Sequence, residues 1–410
     1  MLALQSPVIL MVMNRTNGAT DAGIFSIAIA VANLMMYVGQ YGIRRFQASD
    51  INEQASFREY HGMRIITCIA MVIVCFVYCV VGMSARGYSS TKAIAIYLVC
   101  MLKLIQAYSD VFHGNMQQKG RLDVATKAST IRYTCELLSF CGMLLATHDL
   151  VKSAAVCVVV SLIVMLMTSF NVQRHYCDSM VPVFHKDALR MLFVEGFPLF
   201  VSMFLNIYVG NAPKYAIDAY LTDDVQAIFN FIFMPAFVVQ IVTQFIFNPL
   251  ITSYAEMWLA HTRESFDALI SSIRKMCVAI LGLTVFGLVI AATIGIPVLA
   301  WLFGADLSGC RAELCIIMLG GGLLGYSIFF MTVIAIIRIQ QALIGCYGAA
   351  ALFSLFFSGY FVREGGIAGG GITGASWLYV ILMLILAASL LAVMVWRLQK
   401  EKLELSGSSS

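Results

Sequence analysis

The chain has 410 residues, of which 60% are apolar and 12% charged. Soluble domains run at roughly 45–50% apolar and 25% charged, so a water-solvated globule is excluded and lipid is the natural solvent. The formal charge of +4 comes from 26 Lys+Arg against 22 Asp+Glu; these bases lie in short loops, not in one concentrated patch, which argues against nucleic acid as a partner.

The first thirteen residues, Met1 to Met13, are apolar, contain Pro7 and have neither a basic n-region nor a following small-residue cleavage site. They do not read as a signal peptide. The run is shorter than the ~20 residues a span needs, and is expected to be the end of a first helix whose start lies outside this chain. Apolar runs then recur between polar turns: Ala22–Gly42, Arg64–Gly82, Lys92–Phe112, Ala128–Ala146 and Val151–Phe170. After a polar stretch come Phe193–Pro213, Gln226–Leu250, Met276–Ile296, Cys315–Ile337, Ala342–Phe361 and Ile372–Trp396. A backbone in hydrocarbon must satisfy its own hydrogen bonds, so these are helices; the alternating pattern of an outer-membrane barrel is absent. The fold class expected is an all-α polytopic membrane protein of about 12 transmembrane helices, the first one partial.

The longest connection, residues 171–192, follows the sixth span and divides the chain. Residues 1–170 are expected to form an N-terminal six-helix lobe, 171–192 a cytoplasmic linker, 193–397 a C-terminal six-helix lobe and 398–410 a cytoplasmic tail. The lobes share a weak likeness. Ala22-Gly-Ile-Phe-Ser-Ile opens the second span and Gln226-Ala-Ile-Phe-Asn-Phe the eighth; Ser56-Phe57 precedes the third and Ser265-Phe266 the ninth. An even number of helices per repeat relates the lobes by a pseudo-two-fold along the membrane normal.

Loops after even-numbered spans, with the C-terminal tail, hold 17 Lys and Arg, whereas loops after odd-numbered spans hold 7. Both termini should therefore face the cytoplasm. Ten of the twelve cysteines sit in apolar runs without a CxxC pair, and read as small packing residues. No metal and no cofactor is expected.

Charges at bilayer depth cost at least ~2.5 kcal/mol each, so they mark places to examine. Lys103 falls near the middle of the fourth span. It reads either as a cavity-facing cation or as the partner of Asp110 or of a fifth-span acid. Arg132 and Glu136 are four apart, hence on one helix face; they form a self-neutralising pair, or a gate or ion-coupling element. Arg44 and Arg45 end the second span. They anchor it by the positive-inside rule, or make an electropositive mouth for a phosphorylated lipid headgroup. Lys214 neighbours Asn211 and Pro213 near the outer end of the seventh span, as a cavity cation or an interfacial anchor. Pro198, Pro213, Pro235 and Pro249 all fall in the seventh and eighth spans, where interrupted helices point to transport sites. Gly320-Gly-Gly with Gly325 has no phosphate-loop context and suits close helix packing.

Hydrolytic motifs and a nucleotide-binding segment are missing from the sequence, so the chain reads as no enzyme. Four segments carry a resemblance: Asn17-Gly-Ala-Thr-Asp-Ala-Gly-Ile-Phe-Ser-Ile-Ala, Gly42-Ile-Arg-Arg-Phe-Gln-Ala-Ser-Asp, Tyr108-Ser-Asp-Val-Phe-His-Gly-Asn-Met-Gln-Gln-Lys-Gly-Arg-Leu-Asp and Asn211-Ala-Pro-Lys-Tyr-Ala-Ile-Asp. With them the chain resembles the polysaccharide-transport branch of the multidrug/oligosaccharidyl-lipid/polysaccharide (MOP) exporter superfamily, the O-antigen and capsule flippase-like, or lipopolysaccharide biosynthesis, proteins.

The resemblance implies two lobes around a cationic cavity, alternating access, and an oligosaccharide on a polyprenyl diphosphate as cargo in the inner (cytoplasmic) membrane. It implies that Arg44, Arg45, Lys103 and Lys214 hold the diphosphate, and that Tyr208, Asn206 and Asn211 meet sugar hydroxyls. Glu136, Asp110, Glu195 and Glu256 are the candidate coupling carboxylates. The expected partners are the lipid-linked oligosaccharide, membrane lipids and other polysaccharide-assembly proteins, around a monomer. The alternatives are an ion-coupled drug/cation antiporter of the same superfamily, a polytopic glycan polymerase or ligase, and an assembly scaffold. An antiporter needs cavity-facing acids, whereas Lys103 and Arg132 lead the mid-span charges. A polymerase generally carries a large outer loop, and the outer loops here are short.

Overall fold

The computed structural model describes residues 2–49, 55–177 and 179–407, with the side chains of all but residues 2–4, 45, 48–49 and 404–407. Every regular element among them is a helix. Contacts divide the chain into two units, Met1–Tyr208 and Val209–Ser410.

The first unit holds α1 (Leu2–Thr16), α2 (Ala19–Gln40), the short α3 (Ile43–Ser49), α4 (Phe57–Ala85), α5 (Ser90–Gln118), α6 (Leu122–Thr147) and α7 (Leu150–Met165). A π-turn at Leu166–Phe170 prolongs α7 into α8 (Asn171–Gln173), and α9 (Lys186–Tyr220) enters the second unit at Val209. Helix α2 is deeply buried, packed against α4 and α5, with Phe25, Ile27 and Val31 in its core and Phe25 against Phe140 of α6. It stops because Tyr41 turns left-handed (φ 47°, ψ 26°) and Gly42 follows at φ 68°. A side chain at Gly42 would also meet Leu199 Cβ at 2.8 Å, so conformation and space both require glycine there.

Helix α4 starts at Phe57, seven residues before the apolar run that begins at Arg64. A capping box sets this start: the Ser56 backbone N–H donates to Glu59 Oε2 at 2.8 Å. Its first two turns are too polar to register as a span, yet they are helical. At the α6–α7 corner His148 is left-handed, and Asp149 caps α7 by accepting the Lys152 N–H at 3.0 Å. That backbone hydrogen bond, with the Lys152 side chain, holds the Asp149 carboxyl below its usual range.

The connection between α8 and α9 is fastened to the first unit. The Val183 N–H donates to the Arg58 carbonyl at 3.0 Å, and Arg58 Nε donates to the Val181 carbonyl at 3.0 Å. His61 bridges the Met180 carbonyl (Nδ1, 3.0 Å) and the Tyr108 hydroxyl (Nε2, 2.8 Å). A carbonyl only accepts, so the proton sits on Nδ1 and Nε2 accepts from Tyr108.

The second unit continues with α10 (Asp223–Phe247), a 3-10 turn at Asn248–Leu250, α11 (Ile251–Leu259) and α12 (Arg263–Ile290). A π-turn at Ala291–Gly295 leads to α13 (Ile296–Phe303), then α14 (Arg311–Ile336), α15 (Ala342–Val362), a 3-10 turn at Ile367–Gly369 and α16 (Gly371–Gly407). The α14 glycines let three helices approach. A Cβ on Gly320 would sit 2.4 Å from the Tyr379 ring of α16, on Gly321 3.1 Å from Ala236 of α10, and on Gly322 2.4 Å from Thr284 of α12. This is small-residue packing of the kind membrane helices use.

Among the described residues, ten helical segments are long and apolar enough to cross a bilayer. Two expected spans lie outside that set. Helix α1 has 15 residues, and α6 carries Asp123, Lys127, Arg132 and Glu136. The outward faces are greasy, with Phe76 60%, Leu138 67%, Phe356 70% and Trp301 75% exposed. Surfaces of that kind belong in hydrocarbon. The chain is a multi-pass membrane protein.

Candidate functional site

The site begins where α2 ends. The last carbonyls of a helix have no intrahelical partner. Here Gly39 O accepts from Arg64 Nη1 at 2.5 Å and from Thr67 Oγ1 at 2.7 Å, both on α4. Arg64 is fully buried, and its Nη2 reaches Asp110 Oδ2 on α5 at 3.4 Å. From α3, Arg44 Nη1 takes the other oxygen, Asp110 Oδ1, at 3.0 Å, and Arg44 Nη2 donates to Gln117 Oε1 at 3.3 Å. Asp110 is thus shared by two guanidinium groups.

A second buried pair lies on α6. Arg132 Nε stands 3.6 Å from Glu136 Oε1. Arg132 Nη1 donates to Ser109 Oγ at 2.8 Å and to the Ile105 carbonyl at 3.3 Å, both on α5. Glu136 accepts from Ser161 Oγ of α7 at 2.5 Å and from Gln5 Nε2 of α1 at 3.0 Å. Three helices therefore deliver donors to one carboxylate. Arg132 and Glu136 are a pair, as their spacing implies, but Arg132 Nη2 makes no hydrogen bond among the described residues.

Lys103 does not pair with Asp110. Its Nζ donates to Gln106 Oε1, one turn along α5, at 3.2 Å. Glu136 and Arg132 act on it electrostatically from further off.

The two pairs flank one polar cavity of about 360 Å³, lined by Gln40 of α2, Arg44 of α3, Gln106, Asp110 and His113 of α5, and the Leu122–Tyr133 face of α6. Residues 122, 126, 129, 130 and 133 follow the i, i+3/i+4, i+7 spacing of one helix face. Thr126, Ser129 and Thr130 thereby line the cavity, while each hydroxyl donates to a carbonyl of α6 at 2.9 Å.

Lys214, in the second unit, is 7% exposed. Its ammonium lies 4.9 Å from the Phe233 ring centre and 5.8 Å from that of Phe237, both on α10. Such cation–π contacts stabilise a desolvated ammonium by up to ~2 kcal/mol, and among the described residues no carboxylate is within ion-pairing distance. The side chain of Arg45 lies outside the described residues. Glu195, Glu256 and Asn206 are exposed, while Tyr208 and Asn211 are half-buried.

The structure thus gathers Arg44, Asp110, Arg132, Glu136 and Lys103 in the first unit and sets Lys214 in an aromatic pocket of the second. Arg64, His113, Gln106, Ser161 and Gln5 were not singled out from the sequence. A signal existed for two of them: Gln106, Asp110, His113 and Gln117 form a polar stripe along α5 at helical spacing. Arg64 was legible only as the base opening an apolar run.

Comparison with known proteins agrees with this architecture. A family profile described as "Polysaccharide biosynthesis protein" matches residues 3–255. No curated protein matches the sequence significantly. Among solved structures, the chain is similar to a multidrug resistance MATE family transporter of the MOP superfamily in its inward-facing conformation, at 11% identity and TM-score 0.71, covering 98% of this chain and 95% of the other. The outward-facing conformation of a MATE family transporter of that superfamily gives 12% identity and TM-score 0.56, with coverage of 98% and 96%. A variant of the Vibrio cholerae MATE transporter VcmN gives 14% and 0.60, with 97% and 93%. At these identities the structures show a shared fold, with two lobes of helices. The chain belongs to the polysaccharide biosynthesis protein family.

Proposed function

We propose that the chain is a flippase that moves a polyprenyl-diphosphate-linked oligosaccharide across the cytoplasmic membrane for surface polysaccharide biosynthesis. The observation that carries this reading is the charge balance of the first unit. Among the described residues, four cations (Arg44, Arg64, Lys103 and Arg132) face two carboxylates (Asp110 and Glu136). An excess of two positive charges at membrane depth is costly unless an anion completes it, and a diphosphate supplies about that charge. Lys214, with no carboxylate partner among the described residues, adds a cation in the second unit.

The physics of the cargo fits. Sugars and phosphates cannot enter hydrocarbon unaided, whereas the polyprenyl chain can stay in the bilayer while only the headgroup crosses. The protein then acts by alternating access between lobes related by a pseudo-two-fold along the membrane normal, as a monomer, with no covalent chemistry. Arg44, Arg45, Lys103 and Lys214 engage the diphosphate. Arg132, Glu136 and Asp110 gate or couple the cycle. A drug/cation antiporter would need an excess of acids where this chain has an excess of bases.

The test is transport by the purified full chain in proteoliposomes. A fluorescent polyprenyl-diphosphate disaccharide should become accessible to a membrane-impermeant quencher at least tenfold faster than in protein-free vesicles, and Lys103→Gln should remove most of that gain while inserting normally. Equal rates with and without protein, beside efflux of a cationic dye, would reject the flippase reading in favour of the antiporter.

A further inference from the structure

Helix α14 ends on an unusual residue. Its last turn closes as a Schellman motif: the Arg338 N–H donates to the Ala335 carbonyl at 3.3 Å and the Ile339 N–H to the Ile334 carbonyl at 3.2 Å. The motif needs one left-handed residue, which glycine supplies without steric cost. Here that residue is Arg338, at φ 58°. The turn therefore explains the backbone but not the guanidinium. Arg44, Arg64 and Arg132 each have a carboxylate partner, whereas the Arg338 side chain makes no ion pair or hydrogen bond among the described residues.

Arg338 stands in a cleft of about 620 Å³ that lies wholly within the second unit, between the α14–α15 turn and the end of α16. The turn supplies Arg338, Ile339, Gln340 and Gln341, and α16 supplies Val393 and Trp396. Among the described residues no carboxylate lines it, and neither the two amides nor the Trp396 indole has a hydrogen-bond partner. Val393, Trp396 and Lys400 follow the i, i+3, i+7 spacing of one helix face, so a second base lies one turn beyond the cleft. The neighbouring acid, Glu401, is already committed: one oxygen pairs with His261 Nδ1 at 2.9 Å and the other with Arg397 Nη1 at 3.1 Å. The mouth of the cleft borders apolar surface. Val395 is 39%, Trp396 61% and Leu403 71% exposed, and an exposed indole near a basic helix end marks the bilayer interface. By the loop bases, this is the cytoplasmic interface.

We infer that this cleft binds an anionic phospholipid of the cytoplasmic leaflet: the phosphate diester accepts from Arg338, Gln340 and Gln341, and the acyl chains leave along Val393 and Trp396. Basic pockets at the cytoplasmic ends of membrane helices suit such headgroups. A free phosphate would satisfy Arg338 but leave the apolar rim uncovered. A zwitterionic lipid would bring a further cation towards Arg338 and Lys400. An anion attached to hydrocarbon meets both demands. The volume lies within the range of ligand pockets and suits one headgroup with its glycerol. A lipid held there ties the α14–α15 turn to the end of α16. The site shares no residue with the Arg44–Asp110–Arg132 cavity, and the inference stands independently of the flippase reading.

Quenching of Trp396 fluorescence by brominated lipids tests it. The chain has four tryptophans, so Trp258→Phe, Trp301→Phe and Trp377→Phe leave Trp396 as the one reporter in the reconstituted full chain. In mixed bilayers, brominated phosphatidylglycerol should be preferred over brominated phosphatidylcholine by about fivefold, the worth of one base facing an anionic lipid. Arg338→Gln should bring that ratio close to unity. Equal quenching by the two lipids, or a preference that survives Arg338→Gln, would overturn the site. Millimolar glycerol 3-phosphate should leave the preference unchanged; its loss would assign the cleft to a soluble anion and overturn the lipid. If the three phenylalanine replacements prevent folding, native mass spectrometry of the otherwise unaltered chain decides. Arg338→Gln should then retain one phosphatidylglycerol fewer than the wild type, and equal retention would overturn the inference.

Discussion

Asp110 illustrates how a single acid organises this interior. It lies between buried Arg64 and partly exposed Arg44, and Arg64 in turn caps the end of α2 through the Gly39 carbonyl. Removing one member of a buried pair leaves an uncompensated charge, at about 3–5 kcal/mol. Arg64→Met should therefore lower the thermal inactivation midpoint in detergent sharply, because Asp110 and the Gly39 carbonyl each lose a donor. Adding Asp110→Leu should recover part of the loss, since Arg44 can turn to solvent once its partner is gone. A double variant no more stable than the single one would show that the capping of Gly39, and not the charge pair, sets the stability. Arg132 is like Arg64 in one respect: beside its carboxylate partner, each keeps a buried guanidinium nitrogen with no hydrogen bond among the described residues, Nε in Arg64 and Nε and Nη2 in Arg132.

Among the elements, helix ends and helix contacts follow two separate causes. Gly42 and Gly87 share nearly the same left-handed φ, +68° and +67°, but only Gly42 has a neighbour in the way of a Cβ. Left-handed geometry costs an L-residue roughly 1–2 kcal/mol. Gly87→Ala should therefore lose about that much stability, and Gly42→Ala clearly more, because Leu199 must also move. Chemical denaturation of the two variants in micelles reads the difference, and equal losses would remove the steric part of the argument. The prolines divide in the same way. Pro249 sits where α10 gives way to a 3-10 turn and α11, whereas Pro198 and Pro213 lie inside the continuous α9. Proline removes a donor wherever it falls, yet α9 runs on through both Pro198 and Pro213.

At the scale of the whole molecule, the loop bases set the expected topology. Loops after even-numbered spans and the tail hold 17 Lys and Arg against 7 in the others, so both termini should lie in the cytoplasm. Green fluorescent protein fused after Lys400 should fluoresce, and alkaline phosphatase fused after Arg86 or Asp149 should be active. The reversed pattern would overturn the orientation and, with it, the side from which the first-unit cavity is loaded.

Much of the architecture was legible in advance, because a bilayer permits few backbone solutions. Apolar length alone located most of the spans, whereas the two units part inside α9, between Tyr208 and Val209, and not in the polar stretch after Phe170 where the sequence places the division. Errors fell where polarity and helicity part company. Helix α4 was started too late because its capping box precedes the apolar run, and α6 is apolar only in part because it carries the site. Of the candidate site, Arg44, Lys103, Arg132 and Glu136 stood out along the chain, since a charge within grease is conspicuous in one dimension. It could not show that Asp110 belongs to Arg64 and Arg44 instead of Lys103, that Glu136 gathers Ser161 and Gln5, or that Thr126, Ser129 and Thr130 line the same cavity as Arg44. Those pairings join residues up to 131 positions apart. Hydrophobic length is a property of a segment and can be read along the chain, whereas a hydrogen-bond partner is a property of the packed helices and exists only once they meet.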